Sequence, residues 1–86
     1  MDAKLKEMRS ISKNMDPNMI IGKNGLTEQV IKNVKDELQK HGMVKLKILK
    51  SGIVGKTKEV VFEEIITKTG AKVVDKIGFT ITLTRK

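Results

Sequence analysis

Cysteine, tryptophan and tyrosine are absent from this 86-residue chain, and Phe62 and Phe79 are its only aromatic residues. Without cysteine there is no disulfide framework, no thiolate-ligated zinc and no thiol chemistry. One histidine, His41, is too few for most His-based metal or general-base sites. No apolar run approaches the about 20 residues of a membrane span, and the amino terminus has no apolar signal core. The shortage of rings also bears on nucleic acids. Domains that read single strands by stacking bases need exposed aromatic side chains. A nucleic-acid partner of this chain would be held by its phosphates and shape. These absences indicate a cytoplasmic protein with no membrane partner.

What is present is charge of one sign. Lysine and arginine number 18 against 10 acids, a net charge of +8. That balance points to a polyanion as partner. The length suits one domain, 1–86. No acid occurs between Leu38 and Lys58, where Lys40, Lys45, Lys47, Lys50, Lys56 and Lys58 all fall. A continuous lysine surface captures polyanions by releasing their counterions. The plainer alternative is a solvated face that keeps the protein soluble.

Pro17 and the glycines punctuate the chain. Residues 2–14 read as a helix with Leu5, Met8, Ile11, Ser12 and Met15 near one face. Pro17 ends it. Residues 18–21 read as a short strand, followed by the tight loop Gly22-Lys23-Asn24-Gly25. Thr27 is placed to cap the next helix, 28–41. At about 100° per residue, its Leu26, Val30, Ile31, Val34 and Leu38 fall within an arc of about 140°. His41-Gly42 closes it. Residues 43–49 alternate, with Lys45 and Lys47 opposite Val44, Leu46 and Ile48. A loop over 50–56 leads to a helix over 58–69, capped by Thr57 and ended by Gly70. Strands over 72–77 and 79–84 flank Gly78. The order α-β-α-β-α-β-β implies an α/β two-layer sandwich with a mixed four-stranded sheet.

Three motifs invite chemistry. Gly22-Lys23-Asn24-Gly25 joins a strand to a helix start. Its glycines allow another backbone to approach closely, and the helix start offers free N–H groups to a phosphate. The reading is a clamp on a nucleic-acid backbone; the alternative is an ordinary turn. Gly52-Ile53-Val54-Gly55-Lys56-Thr57 has two residues between its glycines where a nucleotide-binding loop needs four, so it reads as a basic loop before a helix cap. Glu63 and Glu64 are adjacent on a helix and diverge, so they cannot share a catalytic site. His41 reads as a helix-end residue, and no base accompanies Ser10, Ser12 or Ser51. The chain reads as a binding protein without enzymatic activity or cofactor.

The run Ile20-Ile21-Gly22-Lys23-Asn24-Gly25-Leu26-Thr27 resembles the CRM domain family, named for chloroplast RNA splicing and ribosome maturation. The likeness continues through Val44-Lys45-Leu46-Lys47, Lys68-Thr69-Gly70-Ala71, Ile77-Gly78, Thr80 and Arg85. It departs at Thr84, where many relatives have an aromatic residue, and at Phe79, where many have lysine. The resemblance implies a fold like the carboxyl-terminal domain of translation initiation factor 3. It implies a stand-alone RNA-binding protein that associates with ribosomal RNA or pre-ribosomal particles. Gly22, Lys23, Asn24 and Gly25 would then contact RNA. Lys45, Lys47, Lys50, Lys56 and Lys58 would widen the footprint, with Lys13 and Lys32 near the loop. The short elements suggest a monomer. A KH-like RNA-binding domain shares the Ile-Ile-Gly-x-x-Gly pattern, but there a helix precedes the glycines. A small basic DNA-binding chromatin protein, or a protein-interaction module of an assembly complex, is compatible with the charge alone.

Overall fold

A computed structural model describes residues 3–22, 25–50 and 55–85, with side chains from Lys6 onward. Its elements are α1 (Ala3–Lys13), β1 (Met19–Ile21), α2 (Glu28–His41), β2 (Met43–Ile48), α3 (Lys58–Thr69), β3 (Lys72–Ile77) and β4 (Thr80–Thr84). The four strands form one mixed sheet in the order β1-β2-β4-β3. β1 runs parallel to β2, while β4 is antiparallel to both β2 and β3. The α/β class, the element order and the mixed four-stranded sheet are those the sequence indicates. Lys23, Asn24 and residues 51–54, including half of the 52–57 run, lie outside the described residues. None of the described helices is long and apolar enough to cross a membrane.

Local chemistry sets the boundaries. The Thr27 hydroxyl accepts from the Val30 N–H at 3.2 Å, and Thr57 does the same for Val60 at 3.3 Å. Each satisfies a donor that a helix start leaves unpaired. Gly42 (φ 77°) and Gly70 (φ 68°) end α2 and α3 in the left-handed conformation that side chains resist.

One sheet face carries the core. Val44, Leu46, Ile48, Ile81 and Leu83 meet Val34 and Leu38 of α2 and Val61, Phe62 and Ile65 of α3, all buried. Burying one such side chain stabilises the fold by about 1.5–3 kcal/mol. The other face is crossed by α1, which packs on β3. Arg9 Nε donates to the Val74 carbonyl at 2.9 Å, and the Ser12 and Thr82 hydroxyls lie 2.6 Å apart. A register shift between Val73 and Asp75 leaves Val74 as an extra residue on β3.

The helical stripe expected for α1 is only partly the buried one. Ser12 is 3% exposed, whereas Ile11 is 55% exposed. The sheet face beneath α1 is threonine-rich, so a small hydroxyl packs there better than a branched apolar chain. This also explains why β4 is buried on both sides although only one of its faces is apolar.

Candidate nucleic-acid interface

The carboxyl ends of β1 and β2 lie side by side, with Ile21 opposite Ile48. The Leu49 N–H donates to the Ile21 carbonyl at 2.9 Å, and the Ile48 N–H to the Phe79 carbonyl at 2.8 Å. This end of the sheet therefore joins the chain leaving β1, the chain leaving β2 and the β3–β4 turn. The Lys58 ammonium sits 5.2 Å from the centre of the Phe79 ring, which brings the start of α3 to the same place. The start of α2 follows the glycine loop directly. Both helices thus direct the positive ends of their dipoles toward this end of the molecule.

The two loop glycines differ. Gly25 has φ 64°, a conformation costly for any residue with a Cβ. Its N–H donates to the Gly22 carbonyl at 2.9 Å, which closes the turn. Gly22 is not among the positive-φ glycines, and among the described residues a Cβ there would meet nothing nearer than Leu49 Cδ1 at 3.8 Å. The fold requires glycine at 25 and would accept alanine at 22.

The lysines fall into separate groups. Lys47 and Lys50 are exposed and their ammonium groups have no partner among the described residues, Lys47 on β2 and Lys50 just beyond its end. Lys58 is half-buried over Phe79. Lys56 Nζ donates to Glu64 Oε1 at 2.8 Å. That hydrogen bond holds the Glu64 carboxyl below the usual glutamate range against the opposing effect of desolvation, and the charges of Lys56 and Lys68 add lesser contributions. Lys45 turns inward. Its ammonium donates to the carbonyls of Ser12 at 2.7 Å and Met15 at 2.8 Å, at and just past the end of α1, where the Ser12 carbonyl also accepts from the Met15 N–H at 3.1 Å. Lys13 on α1 and Lys32 on α2 are both exposed but lie on opposite sides of the sheet.

The sheet end thus brings together Gly22, Gly25, Lys47, Lys50 and Lys58. It does not bring Lys45, Lys13 or Lys32 into that group as free cations. Sequence reasoning passed over Phe79 and Thr80 at the same end. In the sequence they stand out only against the family pattern and beside Gly78, at a turn whose place in space depends on the strand order.

The opposite end of the sheet has different chemistry. Thr84 Oγ1 donates to the Gly42 carbonyl at 2.8 Å, as does the Arg85 N–H at 3.1 Å. His41 is exposed there, 3.6 Å from Glu37 on its own helix. No group of three or more His, Cys, Asp or Glu able to hold a metal occurs among the described residues.

A family model for the CRS1 / YhbY (CRM) domain matches residues 1–85. The chain belongs to the CRM domain family. An RNA-binding protein of Haemophilus influenzae is 30% identical over 78 residues, covering 91% of this chain and 77% of that one. A Methanocaldococcus jannaschii protein, named a probable RNA-binding protein, is 34% identical over 83 residues. That match covers 95% of this chain and 61% of the longer archaeal protein. Among solved structures, a Staphylococcus aureus protein described as a candidate RNA-binding protein superposes with a TM-score of 0.73 at 29% identity, covering 95% of this chain and 83% of that one. The fold is therefore shared with the Staphylococcus aureus protein, and the sequence similarity extends to bacterial and archaeal relatives.

Proposed function

We propose that this CRM chain binds RNA at the sheet end formed by the glycine loop, Lys47, Lys50 and Lys58. The observation that carries the reading is Gly22. Its backbone and the described residues around it would accept a side chain, so their packing gives no reason for glycine there. Close approach of an RNA backbone gives one. The adjacent helix starts and lysines supply what phosphates seek. The names of the Haemophilus and Methanocaldococcus relatives support RNA as the partner. Lys23 and Asn24 belong to the clamp by position in the chain, and Lys56 adds charge shared with Glu64.

The RNA is ribosomal, within a pre-ribosomal particle, and the protein acts as a non-catalytic assembly factor. This target rests on the chain's resemblance to the stand-alone members of its family. The test is titration with a folded ribosomal RNA fragment over a salt series, with duplex DNA as competitor. Preference for RNA, reduced in Gly22→Asp without loss of folding, supports the reading. Equal competition by DNA and unchanged binding of the variant would move it to a general polyanion binder.

A further inference from the structure

Beside the glycine loop, the sheet face crossed by α1 carries a strip that the helix leaves open. Ile20 on β1 pairs with Lys47 on β2, Lys47 with Thr80 on β4, and Thr80 with Ile77 on β3. Paired residues point to the same side of a sheet, so these four form one row across all four strands, about 14 Å long at the usual strand spacing. α1 crosses the neighbouring row, where Ser12 meets Thr82. Ile20 is 62% exposed and Ile77 59%. They are the two most exposed large apolar residues described, and they stand at the two ends of this row.

We propose that this strip seats the ribose edge of base-paired RNA. The proposal rests on the RNA-binding reading above and names the class of RNA. Lys47 at the centre and Lys50 beside it make the strip basic, which favours a polyanion over an apolar protein face. Rings to stack unpaired bases are scarce, because Phe62 is buried and Lys58 lies over one face of Phe79. A-form RNA presents a wide, shallow minor groove edged by riboses, read by shape and by 2′-hydroxyl contacts. The branched side chains of Ile20 and Ile77 match the sugar carbons, and the Thr80 hydroxyl matches a 2′-hydroxyl. A cleft of about 110 Å³ adjoins the strip, lined by Ser12, Lys45, Asp75, Ile77, Thr80 and Thr82. Asp75 Oδ1 accepts from the Lys76 N–H at 3.0 Å. The other carboxylate oxygen has no donor among the described residues and offers an acceptor for a ribose hydroxyl.

The experiment measures affinity of the full chain for an RNA hairpin, a single-stranded RNA of equal length and the matching DNA hairpin. It compares wild type with Ile20→Thr/Ile77→Thr, and with Val60→Thr on the outer surface of α3 as control. Threonine keeps the β-branched shape, and circular dichroism checks folding. The double variant is expected to lose about tenfold in affinity for the RNA hairpin, with the control unchanged. Wild type is expected to prefer the RNA hairpin over both other ligands. If the double variant binds the hairpin like wild type while Gly22→Asp loses it, the strip proposal falls and the loop reading stands. If single-stranded RNA binds as tightly as the hairpin, the ribose-edge assignment falls. If no RNA binds, both readings fall.

Discussion

The Lys45 ammonium donates to the Ser12 carbonyl at 2.7 Å, across 33 residues of sequence. A lysine on the outer face of a basic strand thereby becomes the carboxyl-terminal cap of α1. A second bond, to Met15, completes it. Hydrogen bonds from a charged donor contribute more than neutral ones. The charge also suits the negative end of the helix dipole.

Lys45→Met keeps the aliphatic stem and removes both bonds. It is expected to lower stability by about 1–3 kcal/mol in urea unfolding. Lys47→Gln, two residues on, is expected to change stability by less than about 0.5 kcal/mol. For RNA binding the order reverses. Lys47→Gln should reduce the log–log salt slope by about 0.7–0.9, the value of one phosphate contact, and Lys45→Met should leave the slope unchanged if the variant remains folded.

The Ser12 and Thr82 hydroxyls are buried and 2.6 Å apart. Thr82→Val alone leaves Ser12 without that partner and is expected to destabilise by about 1–3 kcal/mol. Adding Ser12→Ala removes the stranded group. The double variant should therefore lose less than the sum of the two single ones, with a coupling of about 1 kcal/mol in a double-mutant cycle. Strict additivity would mean that α1 is held by its other contacts.

The two loop glycines separate fold from function. Gly25→Ala forces a Cβ onto a φ of 64° and is expected to cost about 1–2 kcal/mol. Among the described residues, Gly22→Ala meets only Leu49 Cδ1, at 3.8 Å. Its stability should stay within about 0.5 kcal/mol of wild type while RNA affinity falls. Thermal unfolding and RNA titration on the same samples measure the two effects.

Glu64 and Lys56 give a charge-based test. The Glu64 carboxyl is held below its ordinary range by the Lys56 hydrogen bond. A depressed carboxylate contributes stability above its unfolded pKa, and that contribution fades as pH falls through the folded value. The effect should be small, because the pair lies at the surface. Its clearer consequence concerns RNA. Glu64→Gln releases Lys56 from its partner and is expected to tighten RNA binding at low salt, an effect that Lys56→Gln in the same chain should abolish. NMR titration of Glu64 in Lys56→Gln should show its pKa moving back up.

The element order was legible because its signals are local. Thr27 and Thr57 cap, Gly42 and Gly70 terminate, and the alternation of 43–48 marks a strand. Each acts within a few residues of itself. The turn closed by Gly22 and Gly25 is legible for the same reason, as a glycine pair before a helix cap. The placement of α1 was not. Its helical periodicity puts Ile11 and Ser12 on one apolar stripe, yet Ser12 is buried against Thr82, and Ile11 faces solvent. That choice depends on a hydroxyl 70 residues away. Lys45 and Lys47 look equivalent by alternation, and only the position of α1 distinguishes the inward cap from the outward cation. The strip from Ile20 to Ile77 was hidden too, because its four residues come from four strands whose order local patterns do not specify.

The most direct test of the account is amide NMR of the full chain titrated with an RNA hairpin at moderate salt. The account predicts that the largest shifts cluster at Ile20, Gly22, Gly25, Lys47, Lys50 and Phe79–Thr80, with little change along Glu59–Lys68 of α3 or at Arg85. Shifts centred on α3 or on the Gly42–Arg85 end, with the glycine loop unmoved, would contradict it.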